Sequence, residues 1–592
     1  MTTLTHDSGS IPVSTRTSDR GTVVGARDAS VRAGLEMYEL GGNAVDAAVS
    51  AALVAGVIEP TETTLAGSGF ILIRLPNGEM VSVDAGPLAP LSAHAEMYEL
   101  DKQAMSSNVL GLAPVVGNAN VTGTRASGVP RILLALTEAH AKYGELPRST
   151  VFAPAIRAAT EGFTADSWFV VNALQDLTLL RSDPGCAETF LANGLPKGSA
   201  SASPYGLSIE SPHLITQPRL ARTLEVVAAQ GPEALTTGGI AEQLIKTFGQ
   251  YGMTLGAADL LRAAPRIETP RMMQFRGATV AVPNAPGGGL SVLQALNVWQ
   301  RLASDSAVLT RSDRVLLTSR VLRHVFADRY HWLADPERQP VPLEGLLSET
   351  YAAHLAEQCH CEPWNLDAVP MEPWTYFADV ALHDPWPYEP GNPTGADRPR
   401  WGSAGATEPS SGTTHISAAD RDGFAVSITH TAANHFGSAV LCPRTGLLFD
   451  SAMAWFNAKP GAANSITPGG RPVANMAPAL LVQPDGTAVA LGASGGRRII
   501  SAIFHLVREL VEGEGEHAPE CALATPRIDA SGSRVVLHER DADLVESLPE
   551  FNALVVPQQS LSFELDFARA NLAATPLEGP VVSAIETRAY GL

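Results

Sequence analysis

The feature that most restricts this chain is a Gly412-Thr413 bond placed where a long loop turns into a hairpin. Residues 384–412 are rich in Pro, Gly, Ser and Asp, a composition that reads as exposed loop. An alternating run follows, Thr414-His415-Ile416-Ser417-Ala418-Ala419, then the turn Asp420-Arg421-Asp422-Gly423. The second strand is Phe424-Ala425-Val426-Ser427-Ile428-Thr429-His430-Thr431, so the spacing predicts a β-hairpin. A Gly-Thr bond opening a buried strand suits a self-cleaving N-terminal nucleophile. The Thr413 hydroxyl attacks the preceding carbonyl, and Gly412 has no side chain to block it. Hydrolysis of the resulting ester frees an α-amine, of ordinary pKa about 7.7–8.0, beside the hydroxyl as its general base. A threonine opening a strand is also common for its β-propensity alone. The rest of the chain has to decide between the two readings.

Six segments occur in one order from this hairpin onward. They are Thr413-Thr414-His415, Phe436-Gly437-Ser438, Gly446-Leu447-Leu448, Arg471-Pro472, Met476-Ala477-Pro478 and Gly495-Gly496-Arg497-Arg498. Upstream stand Gly41-Gly42-Asn43-Ala44, Glu59-Pro60, Gly67-Ser68-Gly69-Phe70, Gly144-Glu145-Leu146-Pro147, Glu161-Gly162-Phe163, Pro286-Gly287-Gly288-Gly289 and Ala327-Asp328-Arg329. Together they resemble the γ-glutamyltranspeptidase family of N-terminal nucleophile hydrolases, from about Gly21 to the C-terminus. The resemblance implies an α+β fold, the four-layer αββα sandwich, and a zymogen that cuts itself in two. The expected division is a disordered segment 1–20, a helix-rich large subunit 21–412 and a small subunit 413–592 that starts with the nucleophile.

Composition narrows the rest. A net charge of −20 argues against nucleic acid or an anionic membrane surface as partner. The first residues lack a basic stretch followed by an apolar one, so no secretory signal is read. No run of about 18 apolar residues reads as a membrane span. A cytoplasmic location is expected, although members of the family are often exported. Five cysteines give no disulfide framework. Cys359-His360-Cys361 lacks the spacing and the second pair of a zinc site, so no metal is expected.

Along the chain, the Ala-rich stretch 42–58 has helical spacing, and 70–75 with 80–83 reads as a hairpin. Residues 130–357 are mostly amphipathic helices interrupted by a strand at 279–282, while 413–498 is strand-rich and a helix follows at 499–511. Strands and helices in blocks, without βαβ alternation, favour stacked antiparallel sheets between helix layers.

The resemblance assigns the chemistry residue by residue. Thr413 is the nucleophile, Thr431 the second threonine whose hydroxyl bonds it, and Gly495 and Gly496 the oxyanion hole. A helix start unobstructed by side chains suits a developing oxyanion. The string Gly492-Ala493-Ser494-Gly495-Gly496 also satisfies G-x-S-x-G, so Ser494 is a competing nucleophile. Its histidine would have to be His505, His517 or His538.

The substrate positions depart from the family. Members that bind a glutamyl group place Arg in an Asp-x-Arg-Glu-x-Ala-Pro segment, and here Gly86 stands in the Arg position. The paired serines become Ala474 and Asn475, the Asn after the second threonine becomes Ala433, and the Gln and Asp that take the α-amino group become Ala452 and Trp455. Bidentate Arg–carboxylate and Asp–ammonium contacts carry recognition of a zwitterionic head group. Their loss predicts a different acyl group, with His430, Asn434, His435, Trp455 and Asn475 lining the new pocket.

The expectation is a cofactor-free, self-processing hydrolase or acyltransferase, acting on a small-molecule amide or ketone in a natural-product pathway such as antibiotic biosynthesis. C–C bond hydrolysis beside a ketone is included. The alternatives are a genuine γ-glutamyl transferase or glutathione hydrolase, and a catalytically silent scaffold. Its partner is its own other half, as a heterodimer of the two self-cleaved subunits.

Overall fold

The computed structural model describes residues 13–102, 112–199, 213–302, 309–362, 364, 412–513 and 519–586, except 533, 549, 552 and 557–566, together with strand segments at 2–3, 201–203 and 206–208. The expected loop 384–411 lies outside the described residues.

Two antiparallel sheets form the centre. One runs, edge to edge, Arg266–Glu268, Met80–Ala85, Ser68–Arg74, Ala425–Ala433, Gly412–Asp420 and Gly21–Val24. The other runs Thr2–Thr3, Val13–Ser18, Val581–Glu586, Arg569–Thr575, Ala488–Ser494, Ala479–Val482, Ala278–Val282 and Arg271–Phe275. Helices Asp28–Glu39, Ala44–Ile58, Ile132–Tyr143 and Arg148–Glu161 share an aliphatic core with the first sheet. Helices Gly289–Leu302, Arg311–Trp332, Glu349–His360 and Arg498–Glu512 cover the second. The result is the four-layer αββα sandwich.

The layers differ in what fills them. The large helix–sheet cores carry Phe and Ile along with Val, Leu and Ala, whereas the buried residues of the small sheet–sheet clusters are Ala, Leu and Val only, among them Ala281, Ala425, Ala488, Ala490, Ala419 and Ala573. Side chains alternate faces along a strand. In Gly412–Asp420, Ile416 and Ala418 join the helix-side core, and Ala419 joins the sheet-side cluster. Thr413 shares the parity of Ala419, so this strand presents it between the sheets.

The hairpin is pinned at its turn. Asp420 accepts the amides of Asp422 and Phe424 at 3.0 Å and reaches Ala44 N at 2.8 Å. Ala44 opens the helix Ala44–Ile58, which Asn43 and Asp46 close with a capping box. The N-terminus departs from expectation. Val13–Ser18 is a strand, paired along its length with Val581–Glu586, because its alternating Val and Thr residues extend a sheet that otherwise ends on an open edge. Cys359 is buried in its helix while Cys361 is exposed. Among the described residues no three His, Cys, Asp or Glu side chains gather to hold a metal, and no helix is long and apolar enough to cross a membrane.

Candidate active site

Gly412 and Thr413 begin the same strand, opposite a bulge. Gly412 pairs with Ala433 and Thr414 with His430, so Thr431 and Ala432 together face Thr413. The bulge brings the Thr431 hydroxyl onto the Gly412 carbonyl oxygen, to which it donates. Ala433 N donates to the same hydroxyl oxygen at 2.8 Å, which fixes its orientation. Thr413 Oγ1 lies 2.7 Å from Gly412 O and 3.3 Å from Thr431 Oγ1. Two hydroxyls thus converge on one peptide carbonyl. A Cβ at residue 412 would lie 2.3 Å from Thr61 O and 2.9 Å from Glu62 Cα, so only glycine lets the strand pass this close to the 61–62 backbone.

Glu62 completes the contact. Its Oε2 accepts Thr413 N at 3.1 Å and its Oε1 accepts Trp168 Nε1 at 2.8 Å. Burial of the carboxyl raises its pKa to about 7, against the pull of Arg569 and these two donors. Glu59 is buried behind it and is likewise raised by desolvation, opposed by Arg27 and Arg569. Trp168 stands edge-on to His435, with ring centres 6.2 Å apart. His435 Nδ1 is 4.0 Å from Asp176 Oδ2. Burial lowers His435 to about 4 and raises Asp176 to about 6, so at neutral pH this is a neutral imidazole beside a carboxylate.

The expected pocket residues fall into separate places. His435 joins the Thr413 end through Trp168, and Asn434 is tied by Nδ2 to Ser451 Oγ at 2.7 Å. Trp455 packs on Phe70, Ala474 and Met476, a second and more apolar end. Asn464 joins the two segments there, donating to Trp455 O at 2.6 Å and accepting Val473 N at 3.0 Å. Asn475 Oδ1 accepts Arg329 Nη2 at 3.1 Å. His430 is different. It shares the parity of Val426 and Ile428, which lie in the helix-side core, and its Nδ1 contacts Thr63 Oγ1 at 2.7 Å. Fully buried, with its pKa lowered to about 3, it sits on the face opposite Thr431 rather than in the cleft.

Gly495 and Gly496 follow the strand Ala488–Ser494 and precede the helix Arg498–Glu512, with φ of 140° and 61°. The strand Ala488–Ser494 lies directly against the strand Gly412–Asp420. A Cβ at Gly492 would lie 2.1 Å from the His415 ring, and Ser427 Oγ donates to Leu491 O at 2.9 Å. Ser494 pairs with Arg569, whose charge acts on Glu62, so the glycine turn leaves the sheet on the Thr413 side. The histidines proposed for Ser494 are engaged elsewhere. His505 Nε2 accepts Ile528 N at 3.1 Å, and His538 Nδ1 accepts Arg540 N at 3.2 Å. His517 lies outside the described residues. Sequence reasoning did not single out Glu62, Trp168 or Arg569. The signal for Glu62 was an acid beside Glu59-Pro60 in a run, 61–69, otherwise without charge.

The sequence matches the gamma-glutamyltranspeptidase family over residues 30–552. It is 28% identical over 502 residues to the glutathione hydrolase proenzyme of Escherichia coli, covering 82% of this chain and 77% of that protein. It is 29% identical over 524 residues to the acylase ACY 1 proenzyme of Pseudomonas sp. strain V22, covering 88% of this chain and 85% of that protein. The fold matches the crystal structure of cephalosporin acylase from Bacillus halodurans with a TM-score of 0.74 at 23% identity, over 97% of this chain and 95% of that one.

Proposed function

Because the chain belongs to the gamma-glutamyltranspeptidase family, we propose that Thr413 is its nucleophile, first cutting the Gly412–Thr413 bond and then transferring an acyl group. The carrying observation is the pair of threonine hydroxyls on the Gly412 carbonyl, one donating to its oxygen and the other 2.7 Å away. Thr431 polarises the carbonyl and Thr413 Oγ1 attacks it. Gly495 and Gly496 are assigned the oxyanion hole, where backbone amides at a helix start meet developing negative charge. The expected subunits are 1–412 and 413–592. Strands 68–74 and 21–24 flank the hairpin 412–433 on both sides, so the halves stay together after cleavage.

The acyl group is proposed to be other than glutamyl, on an amide or a ketone, in a biosynthetic setting and in the cytoplasm. Gly86 supports the change of acyl group. A Cβ there would lie 2.6 Å from Phe70 Cζ, so the space for an arginine is filled by an aromatic ring. Trp455 and Ala474 pack on that ring, where the family places polar groups for an amino-acid head. An acylase stands among the relatives beside the glutathione hydrolases. Asn434, His435, Trp455 and Asn475 are the proposed substrate contacts, and His430 is dropped from that set.

Two measurements test the reading. N-terminal sequencing of the smaller fragment should begin Thr-Thr-His-Ile, and an active enzyme that runs as one chain on a denaturing gel excludes the mechanism. Fully processed enzyme should turn over γ-glutamyl anilide far more slowly than its best amide or ketone. Comparable rates would return the protein to glutathione-type chemistry, and a processed chain inert to every acyl donor would mark a scaffold.

A further inference from the structure

We propose that Glu62 handles the proton on the Thr413 nitrogen, giving it up as the Gly412–Thr413 bond breaks and then holding the amine that results. This rests on Thr413 being the nucleophile. The carboxyl is the side-chain group on that nitrogen, with Oε2 3.1 Å from it. It cannot swing freely, because Trp168 Nε1 holds Oε1 at 2.8 Å. Its main chain is fixed as well. Ala432 N donates to Glu62 O at 3.2 Å, and Gly412 packs on the 61–62 backbone. Scissile bond, second threonine and carboxyl therefore move as one unit.

The surrounding charges are few. Arg569 acts on Glu62 from the second sheet, and buried Glu59 acts on it from the same loop, itself offset by Arg27. Beyond Trp168 lie neutral His435 and Asp176. Desolvation outweighs the arginine and places Glu62 at about 7, so both of its forms are populated near neutral pH.

The protons balance as follows. In self-cleavage the bond from Thr413 Oγ1 to the Gly412 carbon forms and the carbon–nitrogen bond breaks. The hydroxyl loses one proton and the nitrogen gains one. Protonated Glu62 supplies the proton to the nitrogen, and the hydroxyl proton leaves by way of Thr431 Oγ1, 3.3 Å off, to water. The Glu62 carboxylate then recovers a proton from water, and water hydrolyses the ester to free the Gly412 carboxylate and the Thr413 hydroxyl. In turnover the amine takes the hydroxyl proton and becomes an ammonium. Before that transfer ionised Glu62 accepts one N–H of the neutral amine and so aims its lone pair at Oγ1; after it, the same carboxylate holds the ammonium.

The test uses full-length protein, purified as precursor and matured at a series of pH values. Wild-type maturation should slow as pH rises through about 7, because the acid form of Glu62 is lost. Glu62→Gln should mature at least about tenfold more slowly, in line with the usual size of acid–base catalysis, and without that pH dependence. Glu62→Asp should keep a pH dependence with its midpoint at lower pH, since aspartate is the stronger acid. In turnover by matured protein, an ionised neighbour raises the amine's pKa. Glu62→Gln should therefore move the acid limb of kcat/KM to lower pH and lower its plateau. A Gln variant that matures at the wild-type rate overturns the proposal. So do Gln and Asp variants that are equally slow with the wild-type pH profile, which would mark a packing role. Should the Gln variant not fold, an unmoved midpoint in Glu62→Asp has the same force. Thr413→Ala runs alongside, and cleavage in that variant removes the nucleophile assignment itself whatever Glu62 does.

Discussion

The two ends of the intersheet cleft are built on opposite principles. At the Thr413 end, every polar atom of the reacting group has a partner, namely Gly412 O, Thr431 Oγ1 and Glu62 Oε2. At the Trp455 end, Phe70, Ala474 and Met476 form an apolar cluster, and the guanidinium of Arg329 beside it is turned to Ala474 O and Asn475 Oδ1. Both ends rest on the same strands, since Phe70 and Thr429 are cross-strand neighbours and Thr431 follows two residues on. Chemistry that uses only the protein's own backbone can stay fixed while the acyl-binding end changes. On the proposed mechanism, cleavage uses Gly412, Thr413 and Thr431. Recognition needs whatever stands at 86, 452, 455, 474 and 475. This separation is what the following substitutions probe.

The largest effect is expected from Thr413→Ala, which removes the attacking oxygen. The chain should remain intact on a denaturing gel, and turnover should vanish. Thr431→Val comes next. It keeps the shape but removes the donor to Gly412 O and the acceptor of Ala433 N. Loss of one donor to a developing oxyanion costs about 10²–10³ in rate, so maturation followed on gels should slow by about that factor. If the two ends are independent, neither change alters which acyl groups the Trp455 end binds, as read by competition with a substrate analogue.

A third test works from the other end. Gly86→Arg alone should not create γ-glutamyl activity, because even a Cβ meets Phe70 Cζ at 2.6 Å. Overpacking of this kind typically costs about 1–3 kcal/mol, which a lowered Tm would show. Adding Phe70→Ala opens the space, and measurable turnover of γ-glutamyl anilide is expected in the double variant only. Trp455→Ala should change the preferred acyl group while precursor cleavage proceeds at the wild-type rate. Slowed cleavage in Trp455→Ala would join the two ends and break the comparison.

Much of this was legible in the sequence for local reasons. The hairpin followed from period-two alternation around Asp422-Gly423, and the helix from the Ala-rich spacing of 42–58, both of which form as read. Parity even fixes the face of His430. Residues 427, 429 and 431 share one side and 426, 428 and 430 the other, so a pocket role for His430 conflicts with Thr431 facing Thr413. His435 could not be placed this way, because the bulge at Thr431–Ala432 and the positive φ of Ala433, 73°, break the alternation before it. Glu62 and Trp168 were illegible for a different reason. They reach Thr413 from loops and helices hundreds of residues away, and no local periodicity records that approach. The Phe70 ring at Gly86 is the same kind of fact, set by pairing of Ser68–Arg74 with Met80–Ala85 and not by either segment alone.

The smallest effect is predicted for Ser494→Ala, and its smallness is informative. Ser494 ends a strand whose backbone pairs with Arg569, and the glycines after it carry the turn. If that turn serves through its amides, the Ser494 side chain can be lost with processing intact and turnover within a few-fold of wild type. An elbow nucleophile would need a histidine beside it. His505 is held by Ile528 N and by Arg508 Nη2 at 3.2 Å, and burial drives its pKa well below the ordinary imidazole value. His538 caps the turn at Arg540. His505 therefore has no nitrogen left to serve as base, and His538 ends a strand of a separate three-stranded sheet rather than lying on the strand or helix that flanks Ser494. Kinetics on matured Ser494→Ala decide the matter: turnover that collapses while cleavage continues would move the nucleophile of the second reaction away from Thr413 and leave it only the first.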